Sequence, residues 1–286
     1  MRVIGLIPNL HKERAQAAAH QLLQWLEERG IEVAVPEVEA RALGRPELAH
    51  PWADLAEKVE AAVVLGGDGT LLSAAKPLAS CGKPLLGINL GHLGFLSEVE
   101  IGEAEEALAR LLRGEYSVEN RMMLEATVVR QGRPSERYHA LNDVVVNRGT
   151  VARIITLEAV AGDERIERFR GDGLIVATPT GSTAYSLAAG GPILAPQLEA
   201  ILLTPICPHT LYARSLVLRP DARLRIRVLA SSEEVALTVD GQAGEALSAG
   251  DELAIQRSPL VTRLIRLRPP GFFRVVHTRL SHISPL

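Results

Sequence analysis

Up to Gly114 the chain alternates short apolar runs with longer stretches in which apolar residues recur every three or four positions. Short apolar runs are typical of buried strands, and the longer period is typical of amphipathic helices. The runs predict strands over residues 3–7, 31–35, 61–65 and 84–88, and the period predicts helices over 13–29, 71–79 and 103–112. Strands that alternate with helices indicate a parallel sheet with helices on both faces.

Beyond Gly114 the pattern changes to short β-rich runs at close spacing, which predicts two packed sheets instead of further strand–helix–strand units. Asp240-Gly241 and Gly162-Asp163 are turn signals between such runs. The runs occupy residues 124–129, 140–147, 154–160, 174–176, 224–228, 235–239 and 253–255. A helical pattern interrupts them at residues 184–189, and another follows them at 272–280.

These patterns predict an α/β plus β fold class, with an N-terminal doubly wound α/β domain joined to a C-terminal β-sandwich-like domain. We expect the first domain to span residues 1–117 and the β-rich domain to span 118–267. The tail, residues 268–286, contains Pro269-Pro270 and is free to pack back on the first domain.

At 286 residues, 47% of them apolar and 23% charged, the chain has the composition of a soluble globular protein. A net charge of −3 provides no bulk attraction for nucleic acid. Two cysteines are too few for a disulfide framework and favour the reducing cytoplasm. The longest weakly apolar stretch, residues 185–206, is interrupted by prolines and is not a membrane span. We therefore expect a cytoplasmic protein that binds neither nucleic acid nor membranes.

The most informative segment is Gly66-Gly67-Asp68-Gly69-Thr70, which lies between a predicted strand and a predicted helix. Glycines at such a junction place backbone N–H groups and the positive end of the helix where phosphates dock. A carboxylate beside phosphates is unfavourable unless a metal bridges them or the carboxylate accepts a proton during the reaction. The segment therefore predicts phosphate chemistry in which Asp68 takes part.

This glycine-rich loop differs from two common nucleotide-binding motifs. It lacks the Lys-Ser/Thr ending of a P-loop, and Leu72 stands where the dinucleotide fingerprint requires a third glycine. An ordinary strand-to-helix turn with Thr70 as the N-cap uses the same residue types. The loop alone leaves that alternative open.

A second polar segment in the β-rich part, Thr178-Pro179-Thr180-Gly181-Ser182-Thr183-Ala184-Tyr185-Ser186, leads into a predicted helix. Its hydroxyl groups suit a ribose and a base, and Tyr185 offers a ring face. A polar connecting loop with a normal N-cap is the alternative. Taken alone, Asn142-Asp143 is typical of the polar start of a strand. The eight histidines show no metal-ligand spacing, so we assign no metal-ligating side chain.

Six segments, taken in order, resemble the NAD kinase family of bacterial, ATP-dependent type over nearly the whole chain. The glycine-rich loop is also found in phosphofructokinases and in lipid kinases of the diacylglycerol and sphingosine type, whereas the threonine-rich segment is specific to this family. The segments are Gly66-Gly67-Asp68-Gly69-Thr70, Asn89-x-Gly91-x-Leu93-Gly94-Phe95-Leu96, Leu141-Asn142-Asp143-Val144-Val145, Thr178 to Ser186 with the later Ala189-Gly190-Gly191-Pro192, Cys207-Pro208-His209-Thr210-Leu211, and Asp240-Gly241-Gln242.

The resemblance implies that the terminal phosphoryl group of ATP is transferred to the 2′-hydroxyl of the adenosine ribose of NAD, which makes NADP. Some members also accept polyphosphate as donor or NADH as acceptor. It further implies a divalent metal such as Mg²⁺ and a homodimer or homotetramer. In this reading the first domain binds the phosphate donor and the β-rich domain binds the dinucleotide.

Carried over position by position, Asp68 is the expected proton acceptor. Gly69 is expected beside it at the ligand, and Gly66, Gly67 and Thr70 of the same loop are further expected substrate-binding residues. Asp143 stands where the family commonly has glutamate, which shortens the reach of a ribose contact. The expected dinucleotide contacts are Asn142, Asp143, Arg153, Arg170, Asp172, Ala177, Thr183, Ala184, Tyr185, Ser186, Leu187, Ala188 and Gln242.

Two other functions share part of this evidence. A lipid kinase would need an apolar groove or a basic membrane-facing surface, and an aromatic content of 3% without a basic amphipathic helix disfavours it. A non-catalytic dinucleotide sensor would retain the hydroxyl-rich segment, but it would have no use for a carboxylate in the phosphate loop.

Overall fold

The computed structural model describes the chain apart from residues 12, 92–93, 150–153, 210–212, 231–234, 270 and 282–286. The chain divides into two compact units. Unit 1 comprises Met1–Asn120 together with Thr262–Leu286, and unit 2 comprises Arg121–Val261. Unit 1 is therefore built from both ends of the chain.

The larger part of unit 1 alternates strands with helices. Its strands β1 to β5 form a parallel sheet in the order β5-β4-β1-β2-β3. The elements are β1 (Val3–Pro8), α1 (Glu13–Glu27), β2 (Glu32–Pro36), α2 (Glu37–Ala42), β3 (Ala49–His50), α3 (Trp52–Lys58), β4 (Ala61–Leu65), α4 (Asp68–Ser80), β5 (Pro84–Asn89), β6 (Val99–Glu100) and α5 (Ala104–Arg113).

The core of unit 1 lies between this sheet and its helices. Strand β4 is buried at every position, which explains why its sequence is apolar without alternation. Helix α5 buries Ala104, Ala107, Leu108 and Leu111, a stripe at the spacing of one helix face. Full burial of each such leucine contributes roughly 1.5–3 kcal/mol.

Unit 2 consists almost entirely of antiparallel strands. Strands β7 and β18 each begin in one unit and end in the other, and the C-terminal helix α7 belongs to unit 1. The elements are β7 (Ser117–Arg130), β8 (Arg133–Ala140), β9 (Asp143–Arg148), β10 (Ile155–Ala161), β11 (Glu164–Gly171), β12 (Gly173–Ala177), α6 (Tyr185–Ala188), β13 (Ile201–Ile206), β14 (Leu216–Leu218), β15 (Leu224–Ala230), β16 (Val235–Val239), β17 (Gln242–Ala243), β18 (Glu252–Arg266) and α7 (Phe272–Ser281).

Two sets of strands make up unit 2, and its main core lies between them. One sheet has the order β14-β13-β12-β9-β16-β17, and the other set runs β11-β10-β15-β18. Along β9, Val144 and Val146 join the same buried cluster as Leu157 and Ile226 of the other set. Val145 between them points to the opposite face and packs in a separate cluster. This alternation with a period of two confirms the predicted sandwich.

The structure also differs from the predicted elements in places. The helix predicted over residues 71–79 begins at Asp68 and follows Gly67, so Thr70 lies inside the helix and is not its N-cap. Strands β8 and β11 were not predicted, because polar and charged side chains occupy most of their positions and hide any apolar pattern. The Asp240-Gly241 turn is confirmed, with φ of +50° and +77°, and it joins β16 to β17.

Candidate active site

The glycine-rich loop lies at the carboxyl edge of the sheet in unit 1. The backbone N–H of Gly66 donates to the carbonyl of Ile88 at 3.0 Å, and that of Asn9 donates to the carbonyl of Leu65 at 2.8 Å. The loop is thus fixed between the ends of β1 and β5. Helix α4 begins at once with Asp68, and no side chain caps its first turn. Its N-terminal N–H groups therefore face the position where an anion would bind.

The three glycines of the loop serve different purposes. A Cβ on Gly66 would lie 2.4 Å from Oγ1 of Thr70, so only glycine allows this close packing. The same Oγ1 accepts a hydrogen bond from Nδ2 of Asn9 at 3.0 Å. A Cβ on Gly67 or Gly69 would meet no atom of the described residues within 4 Å. These two positions border open space that a ligand can enter.

The carboxylate of Asp68 is held by the chain segment that follows β5. Its Oδ2 accepts the backbone N–H of Phe95 at 2.8 Å, and its Oδ1 accepts that of Leu96 at 3.2 Å. The hydroxyl of Ser97 donates to Oδ1 at 3.3 Å. A Cβ on Gly94 would lie 2.0 Å from Oδ1, so glycine is required at that position. These contacts fix the direction in which the carboxylate points.

A buried asparagine supports that segment from behind. Asn89, at the end of β5, donates from Nδ2 to Oγ of Ser97 at 3.2 Å. Its Oδ1 accepts the backbone N–H of Gly91 at 2.8 Å. Oγ of Ser97 also accepts the N–H of Gly94 at 3.1 Å. The Asn89 motif of the sequence is therefore the scaffold that positions Asp68.

An open cleft of about 420 Å³ lies in front of this carboxylate. Sequence reasoning gave no role to Arg279, which belongs to the last turn of α7 and lines the cleft. No motif surrounds this arginine, so only the fold reveals it. The described residues that line the cleft are Gly67, Asp68, Asn89, Gly91, Gly94, Phe95 and Arg279.

In unit 2 the structure brings together three strand ends that carry predicted residues. Ala177 at the end of β12 pairs with Asp143 at the start of β9. Thr178 is fully buried, and its Oγ1 donates to the carbonyl of Leu141 at 2.5 Å. The N–H of Thr178 donates to the carbonyl of Asn142 at 2.9 Å. The threonine-rich segment is therefore tied directly to Asn142-Asp143.

Asp240 completes this group from the end of β16. Its carboxylate accepts the backbone N–H groups of Leu141, Asn142 and Asp143 at 2.8, 2.7 and 3.1 Å. Burial and, to a smaller extent, the negative charge of Asp240 together raise the pKa of Asp143 to about 7. Burial also raises the pKa of Asp240, and the three N–H donors lower it in part. The buried carboxyl group of Asp143 and the half-buried one of Asp240 thus share one corner.

The threonine-rich segment has an inner and an outer side. Ser186 is buried, with Oγ 2.8 Å from Oγ1 of Thr204. Ser182 is buried too, and its hydroxyl donates to the carbonyl of Pro179 at 2.6 Å. Tyr185 is 43% exposed. The serine hydroxyls therefore hold the segment in shape, whereas Tyr185 faces outward; Thr183, Ala184 and Leu187 are half-buried and Ala188 is exposed.

Two further predicted contacts lie at the opposite end of β12. Asp172 precedes that strand and pairs with Nε of Arg148 at 2.9 Å, and Arg170 is exposed nearby on β11. The length of β12 separates them from Ala177 by roughly 15 Å. Gln242, by contrast, is exposed at the β16–β17 turn beside Asp240. Arg153 lies outside the described residues.

A metal site built from protein side chains alone is not evident in the described parts of the chain. They contain no group of three or more His, Cys, Asp or Glu residues that could hold an ion. Mg²⁺ bound through one carboxylate and the phosphates of a substrate requires no such group. The cleft beside Asp68 leaves room for an ion that is held mainly by such phosphates.

Comparisons with known proteins indicate the same family for both units. Residues 4–116 match the family model for the ATP-NAD kinase N-terminal domain, and residues 141–267 match that for the ATP-NAD kinase C-terminal domain. An NAD kinase of Symbiobacterium thermophilum is 48% identical over 97% of this chain and 98% of its own length. One of Heliobacterium modesticaldum is 44% identical over 98% and 99%.

Solved structures show the same relationship. Yeast NADH kinase complexed with NADH superimposes with a TM-score of 0.91 and 28% identity, covering 100% of this chain and 89% of that one. An NAD kinase from Archaeoglobus fulgidus in complex with ATP gives a TM-score of 0.77 at 24% identity, covering 99% and 100%. The second likeness establishes the fold alone.

Proposed function

The chain belongs to the NAD kinase family, and from this premise we infer that it transfers the terminal phosphoryl group of ATP to the 2′-hydroxyl of the adenosine ribose of NAD. The product is NADP. The observation that carries this assignment is the position of Asp68. Its carboxylate lies at the N-terminus of α4 within the glycine-rich loop, and three donors from the segment that follows β5 orient it.

Asp68 acts as the proton acceptor in this mechanism. A carboxylate offers roughly four lone-pair positions, and the three donors leave one for the incoming hydroxyl group. The ribose hydroxyl is a poor nucleophile, and removal of its proton as the bond to phosphorus forms lowers the barrier. Because the donors fix Asp68, the proton is accepted at a defined oxygen without a prior rotation of the side chain.

The glycine loop binds and orients the donor phosphates. The uncapped N–H groups at the start of α4 donate to phosphate oxygens, and the open space at Gly67 and Gly69 lets the phosphates approach the main chain. Gly66 and Thr70 hold the shape of the loop. Donors that are aligned in advance stabilise the charge of the transferring phosphoryl group without reorganisation during the reaction.

A divalent metal, in our proposal Mg²⁺, would be held mainly by the donor phosphates in the cleft beside Asp68, whose remaining lone pair is kept for the incoming hydroxyl group. When bound, the metal neutralises charge on the transferring group.

Unit 2 binds the dinucleotide in this proposal. The corner formed by Asn142, Asp143, Ala177 and Asp240 supplies polar groups at one place, and the exposed ring of Tyr185 offers a stacking surface. The same surface includes Thr183, Ala184, Leu187, Ala188 and Gln242, while Ser186 holds the segment from inside. Arg170, Asp172 and Arg153 are proposed as further contacts, and the first two lie at the far end of β12.

We further propose that the enzyme works in the cytoplasm as a homodimer or homotetramer. The relatives and structures compared above are NAD or NADH kinases and give no support to a lipid kinase or a non-catalytic sensor. Among the described residues no helix has both the length and the apolar character needed to cross a membrane.

One coupled assay tests the assignment. Purified protein is supplied with NAD, ATP and Mg²⁺, and NADP is detected by a dehydrogenase that requires it. We expect steady NADP formation that depends on both substrates and on the metal. Replacement of ATP by polyphosphate, and of NAD by NADH, defines the donor and acceptor. Dinucleotide binding without any NADP formation under all of these conditions would instead identify a sensor.

A further inference from the structure

We propose that Arg279, in the last turn of α7, is a further substrate-contacting residue, which binds the donor phosphates in the cleft that contains Asp68. This inference rests on the proposed function. The guanidinium group carries a permanent charge and presents several N–H donors in a planar arrangement that matches phosphate oxygens. Arg279 and Asp68 line the same cleft although they are far apart in the sequence.

The cleft needs a cation that its own loop does not supply. The segment from Gly66 to Thr70 contains no lysine, and the four lysines of the chain all lie at or before Lys83. The charge of Asp68 repels the phosphates of the donor. Among the described residues that line the cleft, Arg279 is the one cationic side chain. It therefore offsets the repulsion at the position where the phosphoryl group is transferred.

The position of α7 is coupled to the segment that holds Asp68. The ring of Phe272 lies 6.4 Å from that of Phe95, centroid to centroid, and Phe272 also packs edge-on against Phe273 at 5.3 Å. Phe95 donates its N–H to Asp68. One residue thus contacts α7 through its ring and the proposed base through its main chain.

The chain that leads into α7 is anchored at the same place. Glu98 is buried, and its Oε1 accepts the N–H groups of Leu267 and Arg268 at 2.8 and 3.0 Å. Its Oε2 pairs with Arg266 at 3.0 Å. Because Glu98 directly follows the segment that holds Asp68, the return of the chain into unit 1 is fixed beside the cleft. Arg279 therefore belongs to a helix whose preceding segment is held in place by Glu98.

The test compares Arg279→Gln with Arg274→Gln, a matched change at an exposed position of α7 that does not line the cleft. Initial rates of NADP formation are measured while ATP and NAD are varied separately, and the thermal midpoint of each variant is recorded. We expect Arg279→Gln to lower kcat/KM for ATP by about 10²-fold, as for removal of one transition-state donor. KM for NAD should be retained, Arg279→Lys should recover part of the loss, and Arg274→Gln should stay within about twofold of wild type.

Wild-type kcat/KM for ATP in Arg279→Gln would overturn the proposal. An equal loss of kcat/KM for ATP and for NAD, together with a lower thermal midpoint, would overturn it as well, because that result indicates a structural role. If the wild-type enzyme itself forms no NADP with any donor, the proposed function fails instead. Arg279 is then tested by direct binding of inorganic tripolyphosphate to wild type and Arg279→Gln, where equal affinity would refute it.

Discussion

The main-chain N–H of Phe95 donates to Oδ2 of Asp68 at 2.8 Å. Phe95 lies in the segment that follows β5, and Asp68 follows the neighbouring strand β4, so the first segment orients the carboxylate at the end of the second strand. Charge-assisted bonds of this kind are roughly twice as strong as neutral ones. They hold Asp68 in one direction before any substrate binds. A base that is already oriented avoids the loss of side-chain freedom at the moment of reaction.

Replacement of Asp68 by asparagine should remove the proton acceptor and keep the shape of the side chain. We expect turnover to fall by about 10²–10⁴-fold, the usual contribution of a general base. Affinity for NAD, measured by calorimetry, should change little. Asp54→Asn, at an exposed position of α3, is the control. A near wild-type rate at saturating substrates would show that Asp68 is a turn residue and that the base lies elsewhere.

Gly94→Ala should displace the carboxylate of Asp68 although Asp68 itself is unchanged. The added Cβ would lie 2.0 Å from Oδ1 of Asp68, so the carboxylate or the segment must move. We expect kcat to fall by at least about tenfold, because small displacements of a catalytic group are costly. Gly102→Ala is the matched control, since its Cβ would meet no atom of the described residues within 4 Å and Gly102 does not line the cleft. Equal rates for the two variants would contradict the orienting role of this segment.

Substitutions in the glycine-rich loop can separate an effect on ATP binding from an effect on stability. Gly69→Ala places a methyl group in open space within the first turn of α4, so stability should be retained or rise by about 0.5–1 kcal/mol. If phosphates approach this main chain, KM for ATP should rise several-fold. Gly66→Ala, in contrast, should lower the thermal midpoint, because its Cβ would lie 2.4 Å from Oγ1 of Thr70. Unchanged ATP kinetics in Gly69→Ala would favour an ordinary strand-to-helix turn.

The pKa of Asp143 predicts a pH dependence of stability with a defined sign. In the unfolded chain this carboxyl loses its proton near the ordinary value of 3.8, whereas in the native protein burial and Asp240 hold the pKa at about 7. Between these values the native state binds more protons than the unfolded state. The free energy of unfolding therefore decreases as the pH rises from about 4 to 7 and levels off above that.

Asp143→Asn should remove the part of this slope that comes from Asp143. The variant should be more stable than wild type at pH 8, by at most about 4 kcal/mol, and the advantage should disappear near pH 4. Urea denaturation at both pH values measures the difference. Asp163→Asn, in the exposed β10–β11 turn, is the control. An identical pH profile for Asp143→Asn and wild type would show that this buried carboxyl does not control the slope.

Much of the fold could be predicted because its signals are local. The apolar run at β4, the periodic stripe of α5 and the Asp240-Gly241 turn each depend on a few neighbouring residues. Strands β8 and β11 escaped prediction because their stability depends on pairing with β7 and β10, which no pattern inside their own sequences reports. Their charged side chains are tolerated since most of these positions are exposed.

The candidate site was predictable in composition but not in geometry. The sequence singled out Asp68 and the threonine-rich segment, yet it did not show that Ser186 turns inward to Thr204. Asp240 was interpreted as a hairpin residue, and only the structure shows its carboxylate accepting three N–H groups at Asn142-Asp143. An aspartate in a turn has the same local sequence whether it faces water or a neighbouring strand.

By itself, the sequence determined the class of fold, the glycine-rich loop between a strand and a helix, and the family to which the chain belongs, because periodicity and glycine positions are properties of consecutive residues. The tertiary structure alone decided that Phe95 aims Asp68, that Asp143 and Asp240 share one corner, and that Arg279 enters the cleft of a loop far away in the chain. Contacts between residues so far apart in the sequence arise from the packing of the whole core, and the free energy of that packing depends on many distant residues at once.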